Sequence, residues 1–273
     1  MSSSQPAGQT AIIGAGVMGE TLLSGLVRSG RRVDALLVGE KRQERATELE
    51  ERYGVAVVSN LDAAAKADTV ALVVKPQDMG EVLAEIAPAL RAGQLLVSLA
   101  AGITTGFIES RVPEGVAVVR VMPNTPALVD EGMAAVSPGS HCSEAQLAEA
   151  EALMASVGRV VRIPERQQDA VTAISGSGPA YIFFVVESMI EAGVHLGLPR
   201  STASELVIQT LVGSGKMLQE TGTHPTVLRE QVTSPGGTTA SALRELEIHK
   251  VRAAFLAAME AARDRSRQLA EGS

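Results

Sequence analysis

Residues 10–30 read TAIIGAGVMGETLLSGLVRSG. A short apolar run with strand propensity enters Gly14-Ala-Gly16-Val-Met-Gly19 with no intervening polar residue, and a helical pattern follows at once. In that setting each glycine meets a separate demand. Gly14 permits a tight turn, Gly16 lets the backbone approach a pyrophosphate, and Gly19 lets helix and strand pack closely. The helix then starts with free N–H groups aimed where phosphates would lie. The stretch therefore predicts a first strand, a phosphate-binding turn and a first helix of a dinucleotide-binding α/β domain.

The chain downstream keeps the same rhythm to about residue 163. ALLVGE, VAVVS, TVALVVKP, QLLVSLA, VAVVRVMP, MAAVSP and RVVRIP are short β-branched runs separated by helical segments. Such runs lack polar alternation, which predicts strands covered on both faces in a doubly wound, mainly parallel sheet. After Pro164 the strand pattern stops. Helices are predicted over 168–175, 179–197, 200–221, 225–232 and 239–270, the last with a weak point near 248. The expected organisation is a Rossmann-type domain over 1–163 and an all-helical domain over 164–273.

Composition narrows the function classes. The chain has 273 residues, a net charge of -7 and no basic stripe able to release counterions from a polyanion, so no nucleic-acid partner is expected. Aromatic residues are 2% of the chain and Trp is absent, so the core must be built from aliphatic layers. The lone Cys142 and four scattered histidines give no metal-ligand spacing, and no metal is expected. The first residues, MSSSQPAGQT, lack a charged-then-apolar leader and read as a loose arm over the first seven or so positions. No apolar run is expected to approach the about 18 residues of a membrane span, so a cytoplasmic protein without a membrane partner is expected.

Cofactor choice turns on the end of the second strand. Glu40 follows Gly19 by 21 positions, where an acid would bind the adenine ribose hydroxyls of NADH. Lys41 and Arg42 come next, and adjacent cations can instead clamp a 2′-phosphate. The reading favours NADPH, with NADH as the open alternative. Three further strand ends, Val74-Lys75-Pro76, Ala100-Ala101-Gly102 and Arg120 through Pro126, should line the same edge of the sheet.

Two places in the helical half exceed what helix packing needs. Ser175-Gly-Ser177-Gly-Pro179 sets glycines and hydroxyls before a proline suited to a first helical turn. Thr233-Ser-Pro235-Gly236-Gly237-Thr238-Thr239 repeats the device, with Thr238 or Thr239 available to cap the helix that follows. Both read as exposed helix N-termini able to receive a carboxylate.

With AIIGAGVMGE, VVKPQD, SLAAGIT, VMPNTPALV, DAVTAISGSGPAY and VTSPGGTTASALRELE, the chain resembles the pyrroline-5-carboxylate reductases over essentially its whole length. The resemblance implies reduction of the C=N bond of Δ1-pyrroline-5-carboxylate to L-proline, an imino acid substrate, and a helical domain that forms a homodimer, with a decamer as a larger assembly. It implies an active site formed between the nicotinamide edge and the helical domain. Cofactor contacts fall on Ile13, Gly14, Ala15, Gly16, Val17, Met18, Lys41, Asn60, Val73, Val74, Lys75, Pro76, Leu99, Ala100 and Ala101, with Arg42 added from the basic pair. Substrate contacts fall on Glu165, Ser177, Gly237, Thr238 and Thr239, with Thr239 as the catalytic hydroxyl. Gln231 stands where some members have asparagine. A β-hydroxyacid dehydrogenase would need a lysine acid/base, and neither Lys216 nor Lys250 lies in the setting such enzymes use. A non-catalytic dinucleotide sensor would not require both hydroxyl-rich loops.

Overall fold

The computed structural model describes residues 8–271; the expected N-terminal arm lies outside them. Strands β1 (Thr10–Ile13), β2 (Leu36–Gly39), β3 (Ala56–Val58), β4 (Thr69–Leu72), β5 (Leu95–Ser98), β6 (Ala117–Met122), β7 (Gly132–Pro138) and β8 (Gly158–Arg162) form one sheet in the order β3-β2-β1-β4-β5-β6-β7-β8. Helices α1 (Val17–Arg28), α2 (Gln43–Tyr53), α3 (Asn60–Lys66), α4 (Met79–Ile86), α5 (Thr105–Glu109) and α6 (Glu144–Ala155) cover its two faces.

The strands are sandwiched, as their unbroken apolar runs predict. Ile12, Val38 and Val97 point to one layer with Leu22, Leu23 and Leu26 of α1. Their chain neighbours Ile13, Leu37 and Leu96 point to the other, with Met79, Leu83 and Ile86 of α4. Each such side chain contributes about 1.5–3 kcal/mol by leaving water. Pairing is parallel throughout except between β6 and β7. The link over 123–131 contains only a short 3-10 turn, Thr125–Val129, and a parallel return requires a much longer crossover.

The last strand ends at Arg162, and every later described element is helical: α7 (Gln168–Val171), a π-helical turn (Thr172–Gly176), α8 (Gly178–His195), α9 (Arg200–Thr221), α10 (Pro225–Gln231), α11 (Thr238–Ile248) and α12 (Val251–Glu271). Gly222, at φ 61, ends α9 in the left-handed conformation that glycine adopts without strain. The break near 248 falls at His249 and Lys250, the latter at φ 56.

Compact units do not coincide with the change from strand to helix. One unit runs through Ser177 and takes in the chain again from Ala262; the other is Gly178–Ala261. Residues 165–177 belong with the sheet because Gln168 donates to the Ala135 carbonyl and the Ser137 hydroxyl, and Asn124 donates to the Ser175 carbonyl.

In the helical unit, α8 and α9 meet through small residues: a Cβ on Gly193 would lie 3.0 Å from that of Ala203. Ala203 is also the unit's one buried side chain among the described residues. Phe183 and Phe184 are 65% and 70% exposed, and Leu206, Ile208, Leu246 and Leu256 are exposed as well. The stretch Glu165–His195 is, by length and composition, long and apolar enough to cross a membrane, with an 18-residue window of mean hydropathy 1.3. That corrects the expectation that no segment approaches this limit. Two short apolar patterns join through the glycine-rich SGSGP sequence into one helical run.

Candidate dinucleotide and substrate-binding site

Backbone hydrogen bonds align the strand ends that the sequence singles out. Gly14 N–H donates to the Gly39 carbonyl at 3.1 Å, Val73 N–H to Ile13 at 2.8 Å, and Leu99 N–H to Leu72 at 3.0 Å. The loops after β2, β1, β4 and β5 are thereby joined in one row, bringing together Ile13 through Met18, Lys41, Val73 through Pro76, and Leu99 through Ala101. At Gly14, φ is 96, and an added Cβ would meet the Val73 carbonyl oxygen at 2.4 Å. A Cβ on Gly19 would lie 2.1 Å from the Gly14 carbonyl oxygen, whereas one on Gly16 meets nothing within 4 Å. Gly14 and Gly19 are therefore required by the fold, while Gly16 leaves open space above the chain. Gly16 caps α1 with no side-chain hydrogen bond, so the first N–H groups of this helix remain available for an anion.

Charged side chains behind this turn steady it. Arg45 Nε donates to the Ala15 carbonyl at 3.1 Å and its guanidinium also pairs with Glu20. Glu20 receives further bonds from Arg52 at 2.7 Å and from the Tyr53 hydroxyl at 2.9 Å. Burial pushes the Glu20 carboxyl up, but the bonds from Arg45 and Tyr53 outweigh it and hold the group below its ordinary range.

Beside the turn lies a groove of about 290 Å³ lined by Ile13, Gly14, Gly39, Glu40, Lys41, Asn60, Val74, Asp78, Glu81 and Val82. Asn60 is buried at the start of α3, with its Nδ2 donating to Glu85 at 3.0 Å. Lys41 Nζ is 3.1 Å from the same carboxylate. Arg42 binds Glu40 through Nε and Nη2, both at 3.1 Å, and its backbone N–H donates to Glu40 at 2.9 Å. Burial raises the Glu40 carboxyl, but these bonds bring it below its ordinary value; the Glu85 hydrogen bond raises that of Lys41. Both cations are thus held by acids, and the Glu40 side chain is only 7% exposed. Arg42 is itself exposed and can turn toward a phosphate dianion, at the cost of leaving the buried Glu40 carboxylate to its remaining backbone hydrogen bonds.

The hydroxyl-rich loops differ from expectation in an informative way. Ser175 and Gly176 do not open a free helix N-terminus. They lie in the π turn, where Ser177 N–H donates to the Thr172 carbonyl at 2.8 Å and Ser175 Oγ donates to that of Val171. The widened turn lies just before Pro179, which lacks an N–H and cannot continue a regular ladder. At the other loop, Gly237 is the cap and Thr238 and Thr239 are the first two residues inside α11. Contrary to expectation, neither threonine caps the helix: Gly237 has no side-chain cap bond, and Gly236 turns the chain at φ 70. The N–H groups of the first turn of α11 are left available. Lys75 lies exposed at the end of the β4 segment, and Gln231 is exposed at the end of α10.

Glu165 has partners that the sequence reading does not name. Its carboxylate accepts from Thr105 N–H at 2.8 Å and Thr105 Oγ1 at 2.7 Å, and Arg120 Nη1 lies 3.4 Å away. These partners fix the carboxylate in place, and its side chain stays 28% exposed. The signal available in the sequence was Arg120, a charge inside the otherwise apolar strand AVVRVM, which requires an anion from elsewhere in the chain. Among the described residues no group of His, Cys, Asp and Glu is arranged to hold a metal.

Comparison with known proteins covers both the glycine turn after β1 and the loop before α11. Residues 165–269 match the family model described as pyrroline-5-carboxylate reductase dimerisation, and residues 9–102 match that of NADP oxidoreductase, coenzyme F420-dependent. A pyrroline-5-carboxylate reductase of Corynebacterium melassecola is 46% identical over 263 residues, covering 95% of this chain and 97% of the relative. One from Mycobacterium tuberculosis is also 46% identical, over 282 residues, covering 95% of this chain and 96% of the relative. Among solved structures, a pyrroline-5-carboxylate reductase from Coxiella burnetii superposes with a TM-score of 0.92 at 36% identity, covering 96% of this chain and 98% of that one. A Plasmodium falciparum pyrroline carboxylate reductase with NADP bound gives 0.86 at 31% identity, covering 98% of this chain and all of the other.

Proposed function

The chain belongs to the pyrroline-5-carboxylate reductase family, and from that premise we propose that it reduces Δ1-pyrroline-5-carboxylate to L-proline, the final step of proline biosynthesis, with NADPH as the preferred reductant and NADH as the alternative. One observation carries the reading: the similarity extends through both the glycine turn after β1 and the Pro235–Thr239 loop, so the cofactor and substrate elements occur together. The cradle fits a dinucleotide, since Gly16 leaves space above an uncapped α1 and the Glu40–Asn60 groove adjoins it. NADPH is supported by the NADP-bound relative and by Lys41 and Arg42 beside that groove.

When bound, the reduced nicotinamide supplies the hydride to the imine carbon. The protein contributes orientation and charge balance. Gly237 and Thr238 hold the substrate carboxylate at the positive end of the α11 dipole, with the Thr238 N–H as the open donor because the Gly237 N–H already donates to the Ser234 carbonyl at 3.0 Å. Thr239 hydrogen-bonds the imine nitrogen; a hydroxyl both donates and accepts, so it serves either protonation state. Ser177 completes the proposed polar contacts. A protonated imine is a good hydride acceptor, so alignment and exclusion of water account for most of the catalysis. Thr239→Ala should reduce turnover by about 10–100-fold. Unchanged kcat and KM would remove Thr239 from the mechanism.

The family's dimerisation segment, matched here over residues 165–269, makes oligomerisation part of its architecture. We infer a homodimer built on the exposed apolar faces of α8 to α12, with a decamer as the larger form. Placing this surface between subunits accounts for the apolar Glu165–His195 run without a membrane. The acidic chain fits a cytoplasmic enzyme without a nucleic-acid partner, and the family-model start at residue 165 supports a sequence division into 1–163 and 164–273, whereas packing groups residues through Ser177 and from Ala262 with the sheet.

The direct experiment follows NADPH and NADH oxidation by purified protein, with pyrroline-5-carboxylate and with 3-keto acids as acceptors. Rapid turnover of the imine alone is expected. Reduction of a keto acid in its place would favour a β-hydroxyacid dehydrogenase.

A further inference from the structure

Arg120 occupies the middle of the buried sheet, in register with Ser98 of β5 and Ser137 of β7, and its side chain is 6% exposed. A guanidinium so placed requires an anion, and Glu165 is the one within reach. The same carboxylate engages both the N–H and the hydroxyl of Thr105, 60 residues away in sequence. One side chain therefore joins β6, the segment after β8 and the first residue of α5.

Between β5 and Thr105 lies the loop over 99–104. Ala100 and Ile103 are anchored in the core, and Gly102, at φ 79, lies under the last turn of α12, with the Leu269–Ala270 backbone 3.6–3.7 Å from an added Cβ. Thr105 closes the loop, while Ala101 remains exposed. In an open α/β sheet a dinucleotide lies across the strand ends. With its adenosine in the β2 groove and its phosphates at α1, the other half extends past β4 to this loop.

We infer that Glu165, backed by Arg120, is a positioning residue that holds the Leu99–Ala101 loop against the nicotinamide half of the cofactor through Thr105. The inference rests on the dinucleotide reading above. Arg120 compensates the carboxylate charge, and the paired bonds to Thr105 set the angle at which the loop leaves β5.

Calorimetric titration with NADPH and with 2′-phospho-ADP-ribose, which lacks the nicotinamide, tests it in the full-length protein. Thr105→Val keeps the Arg120–Glu165 pair and removes one hydrogen bond. It should weaken NADPH about 3–10-fold and leave 2′-phospho-ADP-ribose within about twofold. Thr105→Ser should restore NADPH binding, and Glu165→Gln should weaken NADPH at least as much as Thr105→Val. The inference is overturned if Thr105→Val binds NADPH as the wild type does, if both ligands weaken equally, or if Thr105→Ser fails to restore binding. Imine turnover is scored separately, so a wild type that binds NADPH without reducing the imine refutes the reductase reading alone.

Discussion

The sheet unit and the helical unit use similar aliphatic side chains to opposite effect. In the first, Ile12, Leu22, Leu72, Leu83 and Val97 are almost wholly removed from water by their own chain. In the second, Phe183, Phe184, Leu206 and Leu256 stay exposed, and helix α8 meets α9 through Gly193 and Ala203. The first unit thus has a core of its own, whereas the second presents surface that a further subunit would complete. Apolar content was legible in both halves, and its excess over what one small helical domain can bury already pointed to a second subunit.

The largest expected effect tests the second half of that contrast. Phe184→Asp places an unpaired charge at two symmetry-related positions of the proposed dimer, costing about 3 kcal/mol at each. Light scattering should report monomers and activity should fall with assembly, while a dimer unchanged in size and stability would remove this face from the interface. Gly19→Ala tests the first half: its Cβ would lie 2.1 Å from the Gly14 carbonyl, a backbone atom that cannot turn aside. Destabilisation of about 3 kcal/mol or more is expected in thermal or urea unfolding, with loss of cofactor binding.

Smaller effects are expected at the exposed edge of the sheet unit. Replacing Lys41 and Arg42 together with Ala should raise the KM for NADPH about 10-fold and that for NADH by less than about threefold. Equal losses would refute a 2′-phosphate clamp. The smallest effect concerns Glu20, whose carboxyl is held below its ordinary value of 4.5. Such a group adds stability above that pH and loses it as pH falls through the depressed value. Glu20→Gln should therefore melt below the wild type at pH 7, and the gap should close in melts run progressively below pH 4.5. A gap independent of pH would show that the charge contributes nothing.

Local signals carried much of this molecule. Gly14 and Gly19 were readable because each meets a short-range steric demand, Gly16 because it leaves space above the turn, and the strands because unbroken runs of Val, Ile and Leu match a sheet covered on both faces. The break between α11 and α12 was visible near residue 248. Other features escaped because their causes are distant in sequence. The antiparallel turn into β7 follows from the length of one connection, and the π turn over Thr172–Gly176 resembles a helix start until its N–H groups are traced. Lys41 and Arg42 were visible as charges beside Glu40, but not Glu85, the distant acid that holds Lys41.

What residue order alone carried was the sequence of elements, the dinucleotide turn and the family to which the chain belongs, since these depend on nearest-neighbour sterics, periodicity and compact motifs. What folding added was the partner of each buried polar group. Glu165 has the chemistry of a substrate ligand in the sequence, and folding adds the buried Arg120 and the hydrogen-bonding groups of Thr105 that hold its carboxylate. An ion in a low-dielectric interior must be compensated by whatever the fold brings near it, and that neighbour can lie anywhere along the chain.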